Sequence, residues 1–262
     1  MRGRRTGVAV ALLAAVAAVA AVAAVAFALV TLGRDETPAS RAAPSGDRAP
    51  VRRPASPKPS APPAPSRPHG ARVLRRVQLR DRPGGRVVRT VGRRTGYGSE
   101  RVLAVVARRG RWLGVLSDHV ANSRAAWIPA DSAQLLHEPY RLDVDLSARR
   151  LTVRREGRVV RRIRIAIGKP GTETPTGRFA VTDALRLERG YPQYGCCALA
   201  LTGRQPNIPQ GWSGGDRLAI HGTTAGGSIG TAASNGCLRA GDADMRWLMR
   251  KVTLGALVRI RK

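Results

Sequence analysis

The chain has 262 residues, a formal net charge of +29 carried mainly by arginine, and only 4% aromatic residues. So few aromatics, set beside 29 glycines and 18 prolines, exclude one packed domain running the whole length. The charge suits a polyanion binder, but no recognition helix or RNA-binding signature accompanies it, so the arginines are assigned to solvated surface and no nucleic-acid partner is expected.

The first element is an apolar run from Val8 to Leu32, broken only by Thr31 and preceded by Arg2, Arg4 and Arg5. About 25 residues at 1.5 Å each span a hydrocarbon core of roughly 30 Å. The basic tip stays cytoplasmic, so residues 1–33 are expected to be a membrane anchor that places the rest outside. A cleaved signal, giving a secreted protein, is the rival reading. Residues 34–72 are rich in Pro, Ala, Ser and Arg, a composition too polar to offset its ordering entropy, and are expected to form a disordered spacer.

Folded sequence resumes at Val73. Short β-prone runs at Val73–Leu79, Val87–Val91, Val102–Ala107, Trp112–Leu116 and Ala126–Ile128 are separated by Gly-rich turns and predict a small barrel over 73–137. Its spacing and two tryptophans resemble a bacterial SH3-like domain. From 138 to 262 the pattern changes. Arg141–Leu146, Arg150–Val153 and Val159–Ile167 alternate with period two, with a turn at Glu156-Gly157. Further strands are expected at Gly177–Thr182, Ala198–Leu201, Leu218–His221 and Ala256–Ile260. One helix follows Asp242, its expected N-cap, with Met245, Leu248, Met249 and Val252 on one face. The chain is thus mainly β.

Of three cysteines, Cys196 and Cys197 are adjacent and Cys237 stands alone. That count gives no disulfide framework, and no C-x-x-C spacing suggests a metal. Cys196 and Cys197 are expected as separate buried thiols. Cys237 lies in Ser234-Asn235-Gly236-Cys237-Leu238-Arg239, and His221 in Ile220-His221-Gly222-Thr223-Thr224. A nucleophilic Cys needs a base within hydrogen-bond reach and amide N–H groups aimed at the developing oxyanion. A lone Cys is otherwise most often a small buried hydrophobe. His69 falls in the spacer, and His119 and His137 are assigned structural or surface roles.

The order H-G-T-T, then Ser228-Ile229-Gly230, then S-N-G-C-L-R resembles the L,D-transpeptidase (YkuD-type) catalytic domain. So does Ile167-Gly168-Lys169-Pro170-Gly171-Thr172-Glu173-Thr174-Pro175-Thr176-Gly177. The resemblance covers roughly residues 140–260 and implies a β-sandwich-like fold. It also implies a cysteine acyltransferase that forms a thioester with a peptidoglycan stem tetrapeptide and passes it to an acceptor amine, with no cofactor and no metal. It casts Cys237 as nucleophile, His221 as general base, the Gly222 carbonyl as orienter of the imidazole, and the N–H groups of Gly236 and Cys237 as the oxyanion site. Ser234 and Asn235 would shape that turn, and Arg239 and Thr223 would contact substrate. Asn235 stands where many members carry His, and Asn does not titrate near neutral pH. The expected partners are stem peptides and, through the anchor, the membrane; the chain is expected to be a monomer. A carboxypeptidase using water, and an inactive wall-binding protein, are the alternatives.

Overall fold

The computed structural model of the chain describes residues 70–187, 191–208 and 215–262. The expected anchor, the spacer up to residue 69 and His69 lie outside the described residues. Among the described residues no helix is long and apolar enough to cross a membrane.

The first seven strands are β1 (Gly70–Val73), β2 (Val77–Arg80), β3 (Val87–Val91), β4 (Val102–Arg109), β5 (Trp112–Leu116), β6 (Ala125–Pro129) and β7 (Ala133–Leu136). They form one sheet in the order β3-β2-β6-β5-β4-β1-β7, around a core that includes Leu79, Leu103, Leu113, Val115 and Ile128. The expected single strand Val73–Leu79 is two strands. The chain leaves the ladder at Leu74, which is half exposed, and the Val73 N–H bonds Arg101 O at 2.9 Å. β1 starts at Gly70, inside the stretch assigned to the spacer. Pairing with both β4 and β7 satisfies its backbone on two sides, which outweighs an uninformative local sequence.

The remaining elements are β8 (Tyr140–Asp145), β9 (Arg150–Arg155), β10 (Arg158–Arg164), β11 (Ile167–Gly168), β12 (Gly177–Arg186), β13 (Cys197–Arg204), β14 (Arg217–His221), β15 (Ala232–Ser234), β16 (Leu238–Arg239), α1 (Asp242–Lys251) and β17 (Leu257–Arg261). Eight of them form a sheet in the order β10-β9-β8-β17-β12-β13-β14-β16, while β11 and β15 pair separately. Leu142, Val144, Leu151, Val153 and Ile163 are buried at every second position, the period that one covered sheet face requires. The β9–β10 turn has positive φ at Glu156 (48°) and Gly157 (83°), as a two-residue hairpin with right-handed twist demands. The expected arm Val159–Ile167 divides at Ile165, after which β11 takes a different partner, β15. The C-terminal strand β17 inserts between β8 and β12, parallel to the first and antiparallel to the second.

Helix α1 buries Met245 and Leu248 against the core, with Asp242 and Asp244 in its first turn and Arg250 and Lys251 in its last, matching the helix dipole. Its N-cap is Gly241, not Asp242. The Asp242 carboxylate is turned away to accept the Cys196 N–H at 3.1 Å, so it ties the helix start to the mouth of β13. Cys196 and Cys197 are not separate thiols as expected; they are joined to each other in a disulfide.

All described residues belong to one unit, Ser60–Lys262. The two large sheets meet where Ala104 and Leu116 pack on Ala180. A hydrogen bond from Thr95 Oγ1 to Oδ1 of buried Asp183 crosses the same boundary.

Candidate active site

β14 and β16 run parallel, with Ile220 beside Leu238 and His221 beside Arg239. Side chains alternate along strands, so Ile220 and Leu238 enter the core while their neighbours face the other way. Ala219, His221, Cys237 and Arg239 accordingly line one cavity of about 610 Å³. Cys237 and His221 are sixteen positions apart in the chain, yet strand pairing brings them to one cavity.

His221 is buried, and its Nδ1 donates to Gly222 O at 2.5 Å. A carbonyl only accepts, so Nδ1 carries the proton and Nε2 keeps its lone pair. The Tyr194 ring meets the imidazole edge to face, centroids 4.8 Å apart. Burial, with a smaller contribution from the Arg239 charge, lowers the His221 pKa from 6.5 to about 4, against the opposing pull of the Gly222 carbonyl. The imidazole is therefore neutral at neutral pH.

This has a consequence for stability. Below about pH 6.5 the unfolded chain takes up a proton at this residue, while the native state resists until about pH 4. Native stability should fall as pH drops through that window, by on the order of 3 kcal/mol. Urea unfolding at pH 7.5 and 4.5 checks this. The His221→Asn variant, whose amide N–H can still reach the Gly222 carbonyl, should lose most of the pH dependence.

Cys237 is half-buried, and its Sγ lies 3.7 Å from Arg217 O. Burial raises its thiol pKa, partly countered by the Ala219 N–H and by Arg239. The resting pair is consequently thiol and neutral imidazole rather than a preformed ion pair. Such a pair can generate a thiolate only as the proton moves, in step with attack on an electrophile.

The turn carrying Cys237 is built by Ser234, whose buried hydroxyl donates to Cys237 O at 2.5 Å and accepts the Gly236 N–H at 3.1 Å. Gly236, expected to aim its N–H at an oxyanion, thus spends that N–H on the turn. The Cys237 N–H has no protein acceptor among the described residues. Gly236 has φ of +110°, and a Cβ there would lie 2.3 Å from Gln205 Nε2. Asn235 is half-buried and lines the cavity. Arg239 also lines it, and its buried Nε has no partner among the described residues. Thr223, expected to touch substrate, does not line the cavity; its hydroxyl accepts the Ala225 N–H at 3.1 Å, closing a local turn.

The Gly168–Gly177 motif acts as a cradle for this turn. Lys169 N and Thr172 Oγ1 donate to Ser234 O at 2.9 and 3.3 Å, and Thr174 Oγ1 donates to Gly236 O at 2.8 Å. Thr174 Oγ1 also accepts the Gly168 N–H at 2.9 Å. Buried Gln205 closes the arrangement by donating to Thr172 O and Glu173 O at 3.1 and 2.9 Å. Nothing in Gln205's local sequence signals this role, and the same holds for Tyr194 and Arg217, which line the cavity with Cys237.

A model of the family described as the YkuD L,D-transpeptidase catalytic domain matches residues 139–260, leaving the seven-stranded sheet outside the match. A protein of Bacillus subtilis (strain 168) named as an L,D-transpeptidase, YkuD, is 33% identical over 124 residues, 47% of this chain and 67% of the relative. Its namesake in Bacillus licheniformis is 34% identical over 122 residues, 47% of this chain and 66% of that one. Among solved structures, an L,D-transpeptidase from Mycobacterium tuberculosis H37Rv is similar with a TM-score of 0.40 at 19% identity, over 55% of this chain and 67% of that one. One from Mycobacterium smegmatis gives 0.38 at 18%, over 53% and 73%. By the match of its second half, the chain belongs to the YkuD L,D-transpeptidase family.

Proposed function

We propose that the chain cross-links peptidoglycan by acyl transfer through a thioester on Cys237. As Sγ attacks the carbonyl carbon of the third residue of a stem tetrapeptide, His221 Nε2 takes the thiol proton. The carbon–nitrogen bond breaks, and the imidazolium returns the proton to the departing amine of the terminal D-amino acid. An acceptor amine on a second stem then attacks the thioester. Its proton passes to His221 and on to the leaving Sγ, restoring the thiol.

The oxyanion formed in each half lies within reach of the Cys237 N–H, with the Arg239 charge on the same wall to favour it. The observation that carries this reading is the shared cavity face of Cys237 and His221, with the imidazole proton held on Nδ1 by Gly222 O. Incubating the full chain with disaccharide tetrapeptides tests it. Cross-linked dimers support transfer, tripeptides alone mean water is the acceptor, and unchanged substrate overturns turnover altogether.

The same proposal places this domain outside the cytoplasm, tethered by the apolar segment 8–32 and held off the membrane by the Pro-rich stretch. The seven-stranded unit is taken as an SH3-like module carried between tether and catalytic domain.

A further inference from the structure

Tyr97 belongs to the seven-stranded unit, yet it lines the same cavity as Cys237 and His221. It sits in a tight turn, Thr95–Ser99, closed by Thr95 N to Ser99 O at 2.9 Å and Gly98 N to Thr95 O at 3.1 Å. Tyr97 is 59% exposed, so part of its surface stays open to a ligand in that cavity.

The turn is not free to swing. Thr95 Oγ1 is bonded to Asp183 Oδ1, fully buried on β12 of the catalytic domain. At the base of the turn, buried Arg101 donates to Gly92 O and Arg94 O, both at 2.9 Å. Arg101 also lies 3.6 Å from Asp118, which pairs at 3.0 Å with Arg217 of β14. Arg217 in turn lines the cavity and offers its carbonyl to the Cys237 thiol. Partly buried polar bonds therefore hold the Tyr97 turn against the catalytic domain, so a ligand that meets the ring meets it already ordered.

We infer that the segment carrying the seven-stranded sheet completes the substrate cleft and that Tyr97 is a specificity-determining contact for a stem-peptide side chain. The inference rests on the peptidoglycan reading above. With Tyr191 and Tyr194, whose rings are 6.4 Å apart, it supplies the aromatic part of the cavity wall. Such faces take aliphatic chains and peptide planes, while the phenol oxygens take amides. Arg186 and Arg239, which line the same cavity, suit carboxylates.

The test uses the full chain and its Tyr97→Ala and Tyr97→Phe variants. It compares tetrapeptide turnover with alkylation of Cys237 by iodoacetamide, a probe too small to bridge the cleft. Tyr97→Ala should lose about tenfold in kcat/KM, carried by KM, with alkylation within about twofold of the parent. Tyr97→Phe, which keeps the ring, should recover most of the loss. Unchanged tetrapeptide kinetics in Tyr97→Ala overturn the contact. Equal losses in turnover and alkylation overturn it as well, because they mark a distorted site. A parent chain that releases no D-amino acid from the tetrapeptide refutes the activity itself, and the subsite with it.

Discussion

Cys237→Ala should lose at least about a thousandfold in transfer rate, because it removes the sulfur proposed to hold the acyl chain between the two half-reactions. The fold should survive the change. The side chain is small and half-buried, its Sγ makes one weak contact to Arg217 O, and the turn around it is built by Ser234 and the Gly168–Gly177 cradle rather than by sulfur. The cost in stability should be within about 1 kcal/mol. The family resemblance adds a direct readout, since carbapenems are expected to acylate this sulfur. Intact mass should show a single adduct on the parent chain and none on the variant, at matching melting temperatures. A variant that still forms dimers refutes the assigned nucleophile. One that has lost its melting transition moves the residue's importance from chemistry to packing.

Gly168→Ala should be among the most damaging changes outside the reacting residues. A Cβ at this position would lie 2.2 Å from Thr172 O, 2.5 Å from Thr174 N and 2.8 Å from Glu173 C, all of them backbone atoms. No side-chain rotation relieves such a contact, so the cradle must open. That opening strikes the Thr174 bond to Gly236 O and the Lys169 bond to Ser234 O together. A loss of about 3 kcal/mol is expected, with a parallel drop in Cys237 alkylation. Gly171, three residues along, is the internal control. Its φ is +85° and a Cβ there would meet nothing within 4 Å, so Gly171→Ala carries only the conformational penalty, about 1 kcal/mol. Chemical denaturation of both variants measures the difference. A Gly168→Ala loss no larger than that of Gly171→Ala would show that the cradle accommodates the added Cβ without opening.

Much of this architecture was legible in one dimension. Period-two alternation marked β8, β9 and β10, and the Glu156-Gly157 pair marked the hairpin between the last two, because a strand with one covered face must repeat every second residue. The helix announced its buried face through Met245 and Leu248. Short elements were not legible. β11, β15 and β16 are two or three residues long, below the length at which any period can be counted, and they exist because partners elsewhere in the chain pair with them. The split of Val73–Leu79 and the early start of β1 have the same origin in long-range pairing.

Sequence by itself offered Cys237 and His221 as a nucleophile and base, and the resemblance of their motifs and of Ile167–Gly177 to the L,D-transpeptidase domain singled them out. Tertiary structure alone decided that Gly236 N–H closes a turn, that Thr223 stays outside the cavity, that Gln205 locks the cradle, and that Tyr97 reaches the cavity from another sheet. The reason is geometric: a hydrogen bond or a cavity wall depends on distances of a few ångströms between segments tens of residues apart, and composition and spacing hold no record of those distances.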